Sequence, residues 1–391
     1  MESAFLKRGR DRRLQLGHLW IYESEIDRIE GTQQPGEMVR IRDHQRRYLA
    51  TGYVNPKSKI RIRVMSRARD ARVDGEFLKK RIGDSMALRE RIYPGEEACR
   101  LVYSEGDLIP GLIVDRYGPY LAMQISTAGM ERLRDPVIGS LRELLAPRAI
   151  YERSSMASRT HEGLPPRTGL VFGEMEEEIR VQVDGLKFFV DLQKDQKTGL
   201  YLDHRENRRA LEPFCKDAEV LDAFCNAGSF GMYAARFGAR KVLGVVSSGE
   251  CLQRARRNAE ENGFEDRMEW QEHNAFDVLK EFDQQKRSFD VVILDPPSFT
   301  KSADSVPNAV RGYKEINLRA MKIVRPGGLV VTSSCSYHIP PEIFLGILRD
   351  AAADAYRPVR ILAFRGQAAD HPINLGVPET SYLKCAFLRV G

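Results

Sequence analysis

No uninterrupted apolar run in these 391 residues approaches the ~20 needed to cross a bilayer, which excludes a helical membrane span. The basic start, Met1 to Arg13, is not followed by an apolar segment, so a secretory signal is not expected either. The six cysteines (Cys99, Cys215, Cys225, Cys251, Cys335 and Cys385) show no C-x-x-C spacing, which argues against a zinc site and a disulfide framework. They read as reduced thiols, and the expected location is the cytoplasm, with no metal and no membrane partner. With 42% hydrophobic residues the chain is long enough for two or three domains, each with its own core.

Charge is unevenly placed. Residues 1–70 hold sixteen Lys and Arg against nine Asp and Glu, and the remainder is close to neutral. A basic module of this kind is the electrostatic footprint of nucleic-acid contact. The segment reads as β-rich, with alternating strands at 36–42, 48–54 and 60–65. In the last of these, Arg61 and Arg63 share one face and become candidates for RNA phosphates, although the solvated face of an edge strand would look the same. Residues 71–185 read as a second, α+β unit with helices over 76–92 and 130–145. Strands are expected at 100–103, 112–117, 120–126, 149–152 and 178–183, with a long polar loop at 153–173. It shows no arrangement of nucleophile and base, so a structural or substrate-positioning role is expected.

Glycine is also sparse where it matters most. Residues 220–224 form a short apolar run that reads as a buried strand. Asn226, Ala227 and Gly228 make a bend, and a helical pattern follows with Met232, Ala235 and Phe237 inward. Strand, glycine bend and helix open a nucleotide-type βαβ unit. A pyrophosphate would need several glycines so that the backbone can approach it. S-adenosylmethionine has no phosphate; it needs one close backbone approach and an acid for its amine, which Gly228 and Asp222 supply.

Residues 186–391 continue as an α/β domain. A second strand at 241–246 ends in Val246, Ser247 and Ser248, without the carboxylate that would hold ribose hydroxyls; Ser247 or Ser248 is the substitute candidate, and a weaker one. Losing such an acceptor costs about 1–3 kcal/mol. A third strand leads to Asn274, a candidate partner for an adenine amino group. A fourth, at 291–294, ends in Asp295-Pro296-Pro297-Ser298-Phe299, and a fifth, at 328–334, ends in Ser333-Ser334-Cys335-Ser336. Ligands in such sheets bind beyond the carboxyl ends of the strands, so Asp295 and Cys335 should face one pocket. The polar stretch 191–209 is a candidate lid.

Seven motifs stand in order: Gly17-His18-x-Trp20; Lys197-Thr198-Gly199-x-Tyr201-Leu202-Asp203-x-Arg205; Asp222-x-Phe224-x-x-x-Gly228-x-Phe230; Asp295-Pro296-Pro297-x-Phe299; Arg311-Gly312-Tyr313-Lys314-x-Ile316-Asn317; Ser334-Cys335-Ser336; and Gln367-Ala368-x-Asp370-His371-Pro372. Over essentially the whole chain the pattern resembles the bacterial 23S ribosomal RNA large-subunit cytosine-C5 methyltransferases, a class I S-adenosylmethionine-dependent family. The resemblance implies a PUA RNA-binding domain over 1–70, a central α+β domain over 71–185 and a Rossmann-like methyltransferase domain over 186–391. It implies S-adenosylmethionine as cofactor, 23S rRNA as partner and Cys335 as the nucleophile that adds to cytosine carbon 6. Asp295 would act on the ring at N3. The cofactor set it implies, together with the reading above, is Tyr201, Asp203, Arg205, Asp222, Phe224, Asn226, Gly228, Phe230, Ser247, Asn274 and Asp295. Lys314 and Arg311 join Arg61 and Arg63 as RNA-binding candidates. The chain departs from the family at Val246, Asn274 and Ser298, where an acid, Asp and often Lys are usual. The residues leave open a fold that binds RNA without turnover, a related enzyme acting on another base atom such as a guanine nitrogen, and assembly as a homodimer.

Overall fold

The computed structural model describes residues 2–194, 198–300 and 302–391. The chain divides into two compact units, one of residues 1–183, 190–202 and 369–380, the other of 184–189, 203–368 and 381–391. Among the described residues no helix is long and apolar enough to cross a membrane.

The first unit carries two sheets with separate cores. Six strands, from Glu2–Leu6 to Ile62–Ser66, form the first around Ala4, Leu6, Val39, Ile41, Val54 and Val64. Strand Ile62–Ser66 lies inside this sheet, between Trp20–Ile21 and Tyr48–Val54, and all five of its residues are buried. The expected alternation with one wet face is therefore absent. Arg63 is buried and its Nη1 donates to Glu162 Oε1 (2.7 Å), while Arg61 pairs with Glu23 (2.6 Å).

The second sheet has five strands, packed by helices Gly75–Ile92 and Arg134–Leu145 over Leu78, Ile82, Leu101, Val114 and Leu141. Two expectations change here. The helix expected over 130–145 is two helices that break at Leu133, because Pro136 cannot continue the hydrogen-bond ladder through the break. The polar loop at 153–173 contains helix Ser158–His161 and strand Arg167–Gly173, which pairs antiparallel with Ala149–Ser154. In the same unit, Arg89 is buried on helix Gly75–Ile92 and grips Asp107 through both guanidinium ends (2.5 and 2.7 Å). It also reaches the Asp370 carbonyl (2.7 Å), tying the 369–380 segment to the second sheet.

The second unit is a doubly wound sheet of seven strands: β1 (Glu219–Asp222), β2 (Lys241–Val246), β3 (Met268–Glu272), β4 (Phe289–Leu294), β5 (Val324–Ser334), β6 (Val359–Arg365) and β7 (Lys384–Val390). Their order is β3-β2-β1-β4-β5-β7-β6, with β7 antiparallel to both neighbours. Helices α1 (Ser229–Arg236), α2 (Gly249–Glu261), α3 (Ala275–Gln285), α4 (Val306–Ile323) and α5 (Pro341–Asp354) connect and cover it. The apolar runs Val220–Leu221 of β1, Val291–Leu294 of β4 and Leu329–Val331 of β5 follow from burial on both faces. The strand order reverses between the parallel neighbours β1 and β4, and this switch point places the carboxyl ends of β1, β4 and β5 side by side.

Candidate active site

At the end of β1 the Asp222 side chain is 1% exposed, and its Oδ2 accepts from the Gly231 amide (3.0 Å). Its Oδ1 is buried without a hydrogen-bond partner. Burial, with Asp295 adding like charge, lifts this carboxyl to about 7 against the pull of the Gly231 amide. A buried carboxylate oxygen without a hydrogen-bond partner is what a ligand ammonium would satisfy. The bend that follows puts Asn226 (φ 48) and Gly228 (φ 83) in the left-handed region. At Gly228 a Cβ would lie 2.7 Å from the Trp270 ring, so glycine is required twice over. Phe230 is buried on the first turn of α1, its ring centroid 5.2 Å from His204.

Asp295 follows β4. Parallel pairing sets Leu294 against Thr332, which brings Asp295 level with Ser333; Ser333 Oγ donates to Asp295 Oδ1 (2.5 Å). The same Asp295 Oδ1 meets His204 Nε2 (3.2 Å). Burial opposes charge on both groups, yet they hold each other ionised. Asp295 stays below the usual carboxylate range, and His204, with Asp203 assisting, rises to about 10. His204 went unrecognised in the sequence: it is the variable position inside Asp203-x-Arg205. Of its neighbours, Asp203 Oδ2 accepts from the Tyr382 hydroxyl (2.6 Å), and Arg205 is fully buried within electrostatic reach of Asp184.

Cys335 lies just past the end of β5 and is half-buried, neither sealed in the core nor free in solvent. The turn that carries it is fastened at Ser336. The Ser336 hydroxyl bonds Ser298 Oγ (2.9 Å) and Tyr313 OH (2.9 Å), and its carbonyl accepts from Lys384 Nζ (2.7 Å) and the Ile339 amide (3.2 Å). Ser298, at one of the family departures, thus ties the Asp-Pro-Pro edge to the cysteine turn. Along the same rim Phe224, Phe276, Phe299 and Tyr313 form an aromatic row with centroids 6.3, 5.6 and 4.6 Å apart.

The remaining candidates separate into those near this rim and those elsewhere. Ser247 is exposed at the end of β2. Asn274 is the N-cap of α3, its Oδ1 accepting from the Phe276 amide (2.9 Å), so the oxygen expected at an adenine has a structural task. Tyr201 belongs to the first unit, and Lys197 lies outside the described residues, as do the adjoining Asp195 and Gln196 of the expected lid. Lys314 does not point to the cysteine turn: its Nζ pairs with Asp354 (2.7 Å), at the far end of α5 from Cys335. Arg311 is exposed on α4 and bonds Asn308 one turn earlier. Arg63 is withdrawn from the surface as described.

The switch-point sheet, its single-glycine bend and the buried acid define a methyltransferase of the S-adenosylmethionine-dependent class. In agreement, that family matches residues 166–363, and a PUA-like domain matches residues 5–67. "Ribosomal RNA large subunit methyltransferase I" of Tolumonas auensis is 39% identical, with 99% of each chain covered, and that of Photobacterium profundum is 39% identical over 98% of each. The chain therefore belongs to the ribosomal RNA large subunit methyltransferase I family. Its fold matches that of a putative S-adenosylmethionine-dependent methyltransferase from Streptococcus mutans (TM-score 0.85, 19% identity, both chains covered completely). A putative methyltransferase complexed with SAH aligns as well (TM-score 0.85, 18% identity, both chains covered completely).

Proposed function

We propose that this S-adenosylmethionine-dependent ribosomal RNA methyltransferase forms 5-methylcytosine in the 23S RNA of the large subunit, with Cys335 as covalent nucleophile. The observation that carries the reading is the half-buried thiol at the end of β5, one strand from the carboxylate that ends β4. Amine methylation needs no thiol there. Carbon 5 of cytosine is a poor nucleophile, and thiol chemistry answers that difficulty.

Asp222 and the Asn226–Gly228 bend hold the cofactor's amino-acid end, and Phe224, Phe230 and Asp203 sit around it. Bound S-adenosylmethionine supplies an electrophilic methyl group. The Cys335 thiolate adds to carbon 6, forming a C–S bond and pushing an electron pair toward carbon 5, which becomes an enamine nucleophile. Asp295, ionised beside the protonated His204 and held by Ser333, relays the His204 proton to the ring at N3, which draws electrons from carbon 6. Once carbon 5 carries the methyl group, loss of its proton to a base restores the double bond and expels the thiolate. A paired target base is extruded first.

In this reading residues 1–70, 71–185 and 186–391 act as RNA-binding, positioning and catalytic modules. RNA phosphates meet the exposed Arg8, Arg10, Arg46 and Arg69 of the basic segment, in place of Arg63. The test is transfer of labelled methyl groups to large-subunit RNA by wild type and Cys335→Ala, with the product nucleoside identified. Wild type should yield 5-methylcytosine and the variant none. Unchanged transfer by the variant would refute the covalent route.

A further inference from the structure

Lys384 is absent from every motif noted in the sequence, yet among the described residues it is the one buried lysine, at 5% exposure. It opens β7, whose antiparallel register sets Lys384 opposite Ser334, the residue before Cys335. Its Nζ donates to the carbonyls of Ser336 (2.7 Å) and Tyr382 (2.8 Å), closing over the turn that carries the thiol. Both acceptors are neutral. An ammonium taken out of water is costly unless an anion compensates it. The acidic group that acts on it is Cys335.

We propose that Lys384 is a positioning residue for Cys335: its ammonium fixes the Ser-Cys-Ser turn and provides the counter-charge for the thiolate. This deepens the reading of Cys335 as nucleophile and rests on it. A cation beside a cysteine lowers the pH at which the thiol releases its proton and so raises the thiolate fraction near neutrality. The device works in a defined range, since burial pushes the Lys384 ammonium down to about 8 against the pull of Cys335. Below that pH the lysine is charged and the thiolate is favoured. The other titratable groups around the turn are Tyr337 and His338 within it, their ring centroids 5.4 Å apart, the Tyr313 phenol from α4 and, at the level of Ser333, Asp295 with His204.

The experiment is the pH profile of alkylation of the intact protein by iodoacetamide, read at the Cys335 peptide by mass spectrometry. The half-buried Cys251 serves as internal reference. In wild type Cys335 should react with a midpoint about one pH unit below that of Cys251. Lys384→Met should raise the Cys335 midpoint by about one unit and leave Cys251 unmoved, and Lys384→Arg should keep the wild-type midpoint. A wild-type Cys335 midpoint equal to that of Cys251 overturns the proposal, even if Lys384→Met fails to fold. So does an unmoved midpoint in a folded Lys384→Met, which would leave the lysine a fastener of the turn alone. The profile reads the thiol without turnover, so it is separable from failure of the nucleophile assignment, which would appear as methyl transfer by Cys335→Ala.

Discussion

Replacing Asp222 by Asn should make the protein more stable and a worse binder of its cofactor. The carboxyl is buried, one of its oxygens has no partner, and its proton is held to about pH 7 instead of about 4. Between those values the folded state keeps a proton that the unfolded chain has released. Stability therefore falls as pH rises through this window, and the full cost is present above pH 7. At 1.36 kcal/mol per pH unit the penalty is about 4 kcal/mol at most. Asn keeps an oxygen for the Gly231 amide and carries no charge to bury. At pH 8 the variant should gain about 1–4 kcal/mol, at about 2–4 °C in Tm per kcal/mol. At pH 4 the two proteins should melt together. Calorimetric titration should show affinity for S-adenosylmethionine reduced about 10- to 100-fold, the value of a hydrogen bond between charged groups. A variant that melts lower than wild type at pH 8, or binds the cofactor as tightly, would refute the reasoning.

Three further outcomes follow from the same contacts. Arg63→Met should destabilise the first unit by about 3–5 kcal/mol in urea unfolding, because it strands Glu162 in the interior; the salt dependence of RNA binding should be unchanged, and a flatter slope would return Arg63 to the RNA surface. His204 holds its proton up to about 10 through Asp295, and Asp295 holds its charge below the usual carboxylate range, so the stability this pair gives is complete between about pH 4 and 6.5 and is lost as pH rises toward 10. His204→Gln should flatten that alkaline decline in thermal melts, and a persistent slope would contradict the ion pair. Gly228→Ala should abolish saturable cofactor binding in calorimetry while the sheet still folds, because its Cβ meets the Trp270 ring in a left-handed turn.

The sheet ends were legible because burial on both faces writes short apolar runs into β1 (Val220–Leu221), β4 (Val291–Leu294) and β5 (Leu329–Val331), and because Gly228 and Asp295-Pro296-Pro297 punctuate them. The strands β6 and β7 were not, since Ile361, Leu362 and Phe364 of β6 stay substantially exposed and blur its alternation. Alternation misled at Arg61 and Arg63: period two is the signature of a half-buried strand, but Ile62–Ser66 is covered on both faces and neutralises Arg63 with Glu162 from beyond the expected domain boundary. His204 and Lys384 gain meaning only through pairing over long sequence separation, 91 residues to Asp295 for the one and 48 to Ser336 for the other. No local pattern announces such partners.

The covalent step can be caught directly. RNA carrying 5-fluorocytosine at the target position accepts a thiolate at carbon 6 and a methyl group at carbon 5, but fluorine cannot leave as the proton does, so the C–S bond persists. Incubation with protein and S-adenosylmethionine should give a denaturation-resistant RNA–protein complex, with the cross-linked peptide containing Cys335 and with no complex from Cys335→Ala. Methylation of the normal substrate with no trapped complex, or a cross-link at another residue, would contradict the account.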